Sequence, residues 1–213
     1  MAALAGYKAS VYVTSTPSLT FTNLALVDGG AHTVFSVGAG NSAKWYWDET
    51  QPFTVQTAPD GSTWTTANPS TYTIQYVGGI ITFNSAVTGG TPSARVSAGY
   101  YMPYSVVARA KSIEISNMLD ILDATDFSSG GWKTKIAALA GSEYKLEQWW
   151  IDTFYASMLG NRMVVSAYTG ANANQRFEGY AFIKDDSFKT AVNSLNEESI
   201  SFESDGPVYC IQS

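Results

Sequence analysis

Apolar and polar positions alternate with a period of two along most of this chain, the pattern of strands that bury one face. Within residues 112–150, Ile113 and Ile115 alternate with Glu114 and Ser116, and Tyr144, Leu146 and Trp150 alternate with Lys145, Glu147 and Trp149. Two strands are expected there. Between them lie roughly two dozen residues without a clear period, longer than most hairpin connections, and the pattern reads as a long loop. It carries Met118, Leu119, Ile121, Leu122, Phe127, Trp132, Ile136 and Leu139, too apolar a set for a solvated linker. Such side chains need a surface to cover them, and on a small domain a second subunit supplies it.

The same alternation places a first strand at residues 7–13, with Tyr7, Ala9, Val11 and Val13 on one face. From residue 20 to 103 short strands and turn signals recur without a helical period: 24–27 and 33–37 around Asp28-Gly29-Gly30, 53–57, 72–76 and 80–83 around Gly78-Gly79, then 94–101. A long strand is expected at 106–115. Arg109 and Lys111 share a parity there with Ile113 and Ile115, so one end must leave the buried sheet. A helical period occurs at 151–159, with Asp152 as N-cap and Phe154–Met158 and Tyr155–Leu159 spaced four apart. Gly160 or Asn161 should end that helix in the left-handed conformation. Strands follow at 163–168 and 176–184, then a polar connection over 185–198, and a last strand at 199–204 with Ile200 and Phe202 facing inward.

One order of elements is distinctive: a strand, the Asp-rich turn Asp123-Ala124-Thr125-Asp126, then Ser129-Gly130-Gly131-Trp132, then a strand and a short helix. The chain closes on a strand with Phe177, Glu178, Gly179, Tyr180 and Ala181, a loop, and a strand running into Asp205-Gly206-Pro207. This order resembles the tail tube (major tail) proteins of long-tailed bacteriophages, over about the last hundred residues and the first strand. The resemblance implies a mainly β fold, a two-sheet antiparallel sandwich or barrel with one flanking α-helix, and an added all-β section in the N-terminal half. The tube domain would comprise residues 1–19 and 104–213, and residues 20–103 would be an inserted or a separate N-terminal β module.

The resemblance further implies a structural role: hexameric rings stacked into a tube that conducts genome DNA. Its partners would be copies of itself, a tape-measure protein, and tail terminator and baseplate or tip proteins. DNA would be transiting cargo only, and the protein would be made in the host cytoplasm and end in the virion. The contact between rings or subunits would lie in the long segment, at Asp123, Asp126, Phe127, Gly130, Gly131, Trp132, Lys133 and Lys135, with Phe127 and Trp132 as anchors. Tube proteins of contractile injection and type VI secretion machines resemble the same pattern.

Composition narrows the alternatives. Charged residues are only 14% of the 213 positions and the net charge is −6, which argues against a dedicated nucleic-acid binder. Residues 104–213 hold fourteen acids and nine bases, residues 1–103 four and three, so the acidity belongs to the tube-like part. An acidic surface repels phosphates and suits a conduit. No apolar run approaches membrane-spanning length, no membrane insertion is expected, and residues 1–8 lack a signal-peptide pattern.

Candidate chemistry is sparse. One histidine, His32, and one cysteine, Cys210, cannot furnish a zinc ligand set and lie in different expected regions, so no metal, cofactor or catalytic site is expected. Asp120, Asp123 and Asp126 lack the spacing and terminal Glu of a calcium loop. Of the abundant aromatics, Trp45, Trp47 and Trp64 could form a sugar-stacking platform. The competing reading from a different class is therefore a carbohydrate-binding β-sandwich; the bland reading of the same tryptophans is core or subunit contact.

Overall fold

The computed structural model describes residues 10–14, 18–109, 111–123, 133, 135–149, 153–168, 175–190 and 196–212. These residues are mostly antiparallel β, with one short α-helix. The strands are β1 (Ser10–Thr14), β2 (Leu19–Asp28), β3 (Val34–Val37), β4 (Thr54–Ala58), β5 (Thr65–Thr66), β6 (Tyr72–Gln75), β7 (Ile80–Phe83) and β8 (Ser93–Tyr101). They continue with β9 (Tyr104–Arg109), β10 (Ser112–Asp123), β11 (Lys135–Trp149), then α1 (Phe154–Ser157), β12 (Arg162–Tyr168), β13 (Gln175–Lys189), β14 (Glu197–Ser204) and β15 (Tyr209–Gln212). The chain divides into two compact units, one formed by Met1–Tyr12 with Val106–Ser213, the other by Val13–Ser105. β1 and β9, the strands at the unit boundary, pair with each other.

The Val13–Ser105 unit is a seven-stranded sheet in the order β5-β4-β8-β2-β3-β7-β6. β2 pairs with β8 from Leu19 to Ala25 and with β3 from Leu26 to Asp28. Asn23, at φ 49°, marks the irregularity in the β8 pairing. The sheet can thus fold over a common core of Phe21, Leu24, Phe35, Val37, Trp47, Val55, Ile81, Phe83, Ala94 and Val96. The β6–β7 hairpin turns where the sequence indicated. Gly78 and Gly79 both have positive φ, and a Cβ on Gly79 would stand 2.6 Å from Val37 and 3.2 Å from Trp47.

The other unit is a six-stranded sheet, β10-β11-β14-β13-β12, with β15 on β13 beside β14. Alternation buries Ser142, Tyr144, Leu146 and Gln148 on β11 and Glu198, Ile200 and Phe202 on β14. Ile200 and Phe202 face inward as expected. Val164 and Val165 on β12, and Tyr180 and Ala181 on β13, are buried on both faces. Tyr155 of α1 meets the ring of Phe202 edge-on at 6.3 Å.

Four expectations need correction. The long loop is instead a continuation of both strands: β10 and β11 stay paired from Ser112↔Glu147 to Asp123↔Lys135, with one irregularity between Leu119 and Ile121. The polar connection starts later than expected, because β13 runs on to Lys189, past a register shift between Ile183 and Asp185 that reverses its side-chain parity. The strand at 106–115 is two strands, interrupted around Lys111. The helix is one turn, with Thr153 rather than Asp152 in the N-cap position and no side-chain cap bond; residues 151 and 152 lie outside the described residues. Backbone pairing overrides the helical stripe here: Gly160, at φ 75°, donates to the Ile183 carbonyl at 3.1 Å and commits the chain to β12.

Candidate functional site

Two surfaces of the six-stranded unit stand out, and both grow from the β10–β11 hairpin. β11 pairs with β14 only as far as Glu143↔Glu203. Beyond that point, among the described residues, β10 and β11 pair only with each other, and they leave the sheet as a two-stranded arm. Ser142 sits at the root, where its backbone N–H donates to Ser204 Oγ at 2.8 Å and its hydroxyl to Asn117 Oδ1 at 2.7 Å. On β10 the half-buried Ile113 and Ile115 give way to exposed residues throughout Ser116 to Asp123. Met118, Leu119, Ile121 and Leu122 are 47%, 51%, 58% and 60% exposed, so both faces of the arm present large apolar side chains. An isolated two-stranded ribbon is marginal in water, and exposed strands of this composition are sites of association.

Of the residues the sequence pointed to, Asp123 and Lys135 are Cα partners at the last described rung of the arm, and Lys133 is exposed beyond it. Asp126, Phe127, Gly130, Gly131 and Trp132 lie outside the described residues.

The second surface is the outward face of β10, β11, β14 and β13, which sequence reasoning missed. Its rows run Ser112–Glu147–Ser199–Ser187, Glu114–Lys145–Ser201–Asp185 and Ser116–Glu143–Glu203. The alternation of Glu143, Lys145 and Glu147 with buried neighbours was the signal that could have revealed it. Lys184 Nζ reaches Glu143 at 3.1 Å and Glu203 at 3.3 Å. Lys111 Nζ meets Glu197 at 2.7 Å and lies 4.8 Å from the Trp149 ring centroid. Ser112 Oγ donates to Glu147 at 2.9 Å. The hydrogen bond from Lys111 holds the Glu197 carboxyl below its ordinary pKa and raises that of the lysine. The hydrogen bond to Glu143, then that to Glu203, raises Lys184.

A shallow cleft of 410 Å³ on this face is bordered by Lys111, Lys145, Glu147, Lys189, Glu197 and Ser199. A second, of 210 Å³, is bordered by Glu114, Ser116, Glu143 and Ser201. The carboxylates Glu114, Glu143, Glu147, Asp185, Glu197 and Glu203 outnumber the lysines Lys111, Lys145, Lys184 and Lys189, so the face as a whole is acidic.

Other candidates resolve into structure. Trp47 is fully buried, and half-buried Trp45 donates its indole N–H to the Val37 carbonyl at 3.3 Å. Trp64 is half-buried beneath the Arg95 guanidinium. The three do not form one sugar platform. His32 adopts φ 55° and bonds through Nδ1 to Asp28, which also accepts the Gly30 and His32 N–H groups. The bond from the Gly30 N–H is the leading cause that lowers the Asp28 pKa. Cys210 is exposed. Among the described residues no group of three or more His, Cys, Asp or Glu side chains could hold a metal ion, and no helix is long and apolar enough to cross a membrane.

No protein-family model and no curated protein matches the sequence. Solved structures that resemble part of it include two from one kind of particle. One is the virion of a native gene transfer agent particle, 14% identical, with 50% of this chain and 88% of that chain covered and a TM-score of 0.40. The other is the tail of an empty gene transfer agent particle with C6 symmetry, also 14% identical, with 51% and 86% covered and a TM-score of 0.40. Likeness at that level does not carry function across.

Proposed function

We infer that this chain is a structural, non-enzymatic subunit of a phage-type tail tube that assembles into stacked hexameric rings. The observation that carries the reading is the apolar arm, a twin-stranded extension with Met118, Leu119, Ile121 and Leu122 exposed over both faces. A monomer gains nothing from such an arm; a repeating assembly buries it against the next copy. The contact residues Asp123, Asp126, Phe127, Gly130, Gly131, Trp132, Lys133 and Lys135 continue that arm along the sequence, as an inter-ring or subunit contact.

The acidic face would line the lumen. A conduit for DNA must not bind it, and there Lys111 and Lys184 are each tied to carboxylates, which leaves the surplus charge negative. In this reading the Val13–Ser105 unit is inserted into the tube domain, the tape-measure, terminator and tip proteins are the further partners, and the virion is the destination. A free-standing sugar-binding protein built on Trp45, Trp47 and Trp64 is disfavoured by the burial of Trp47.

Sedimentation velocity of the purified chain across a concentration series tests the assembly. Species at hexamer mass and above, lost on Leu122→Asp, support the reading. A monomer indifferent both to concentration and to the substitution, even with tape-measure and tip proteins added, contradicts it.

A further inference from the structure

We propose that the Val13–Ser105 unit carries a binding site for carboxylate-bearing sugars, centred on Arg95. The inference is independent of the tube reading. Arg95 projects from β8, between Gln56 of β4 and Ala25 of β2, with Thr66 of β5 beyond Gln56. Its Nε–H and one Nη2–H donate to Gln56 Oε1 at 2.9 and 2.7 Å, and the guanidinium lies 4.2 Å from the Trp64 ring centroid. An arginine has five N–H donors in a fixed planar fork. Two are used here, so among the described residues the edge formed by Nη1 and the second Nη2–H has no protein acceptor. That edge is the one that engages a carboxylate through two parallel bonds.

Three features separate this from a cation that merely covers a tryptophan. First, the half-buried guanidinium is held from the side and from below, so ordering it on binding costs little further entropy. Second, among the described residues it has no counter-ion: Arg95 forms no ion pair there, although its unit is acidic, with Asp28, Asp48, Glu49 and Asp60 against Lys44 and Arg95. A half-buried charge without a partner favours a ligand that brings one. Third, the surroundings are neutral hydrogen-bonding groups: the Gln56 amide, the exposed hydroxyl of Thr66, and Ser93 and Ser97 further along β8. Amides and hydroxyls around one cation suit sugar hydroxyls around one carboxylate, and the Trp64 edge offers an apolar contact for the ring. An acidic peptide would bring several carboxylates to a site with one cation among acids.

The test is calorimetric titration of the full chain with 3′-sialyllactose and trigalacturonate, each against its uncharged counterpart, and with a hexaglutamate peptide. Trp64 indole shifts in the NMR spectrum serve as a local readout. The proposal expects binding of the carboxylated sugars and none of lactose, with at least tenfold loss on Arg95→Gln. Arg95→Lys should lose as much, because a point charge lacks the fork. Gln56→Glu supplies an internal counter-ion without removing packing, and should abolish binding at unchanged Tm, which covers the case in which Arg95→Gln unfolds. Equal binding of neutral sugars, binding of hexaglutamate alone, no binding of either acidic sugar, or binding untouched by Gln56→Glu would overturn it.

Discussion

Glu143 and Glu203 stand directly opposite one another as Cα partners on β11 and β14. Like charges in that position repel, and the pair is tolerated because Lys184 of β13 reaches across to both. All three side chains are about half exposed, so the network is a surface one that water and salt weaken. Lys184→Met should lower the urea midpoint slightly at low ionic strength, and the difference should vanish near 1 M salt, where screening is nearly complete. Lys184→Met combined with Glu203→Gln should recover the loss. An equal loss at high salt would mean that Lys184 acts by packing its stem rather than by charge.

Lys111 and Glu197 make a pH-dependent contribution whose sign is fixed by the direction of both shifts. The folded carboxyl titrates below its ordinary value of 4.5, so its stabilisation is present above that value and lost as pH falls through the lowered folded value. The folded lysine titrates above 10.5, so its part is present below that value and lost as pH rises through the raised one. Glu197→Gln should therefore lower stability slightly through the middle of the range, where the pair is charged, and by progressively less as pH falls through the lowered folded value, so that the acid end of the profile flattens. Chemical denaturation from pH 3 to 7 measures it.

Tyr144 offers a core prediction. Its hydroxyl is buried without a hydrogen-bond partner among the described residues, and burial raises its pKa. A Cβ on Gly179 would stand 2.9 Å from that hydroxyl and 3.2 Å from Val208. Tyr144→Phe removes an unsatisfied polar atom and should stabilise the fold by about 1 kcal/mol. Gly179→Ala should destabilise by about 1–3 kcal/mol through overpacking, and less in the Tyr144→Phe background. Additive effects in the double mutant would contradict the proximity argument.

How far the sequence could be read differs from element to element, for physical reasons. Where one face meets a core, as at Tyr144 and Leu146 or Ile200 and Phe202, alternation named the inward residues. The β2–β3 and β6–β7 hairpins were legible because Asp28-Gly29-Gly30 and Gly78-Gly79 are turn chemistry. The arm was not legible as strand, because Met118, Leu119, Ile121 and Leu122 occupy both parities and the irregularity after Leu119 breaks the period. A strand with no buried face of its own has no alternation to show. β13 disappeared beyond Ile183 for a related reason, since the shift there inverts parity. Two of the assembly residues singled out, Asp123 and Lys135, are paired in the structure, while the role of the set depends on a second copy of the chain.

The arm carries the central claim, and negative-stain electron microscopy of concentrated protein tests it most directly, comparing the unaltered chain with an Ile121→Asp, Leu122→Asp double variant. Both side chains are more than half exposed, so the variant should unfold within roughly 0.5 kcal/mol per site of the parent. Hollow tubes or sixfold rings are expected from the parent, with the initiating tip proteins added if needed, and dispersed folded particles from the variant. Tubes of full length from the folded variant, or no ordered assembly of the parent under any of these conditions, would contradict it.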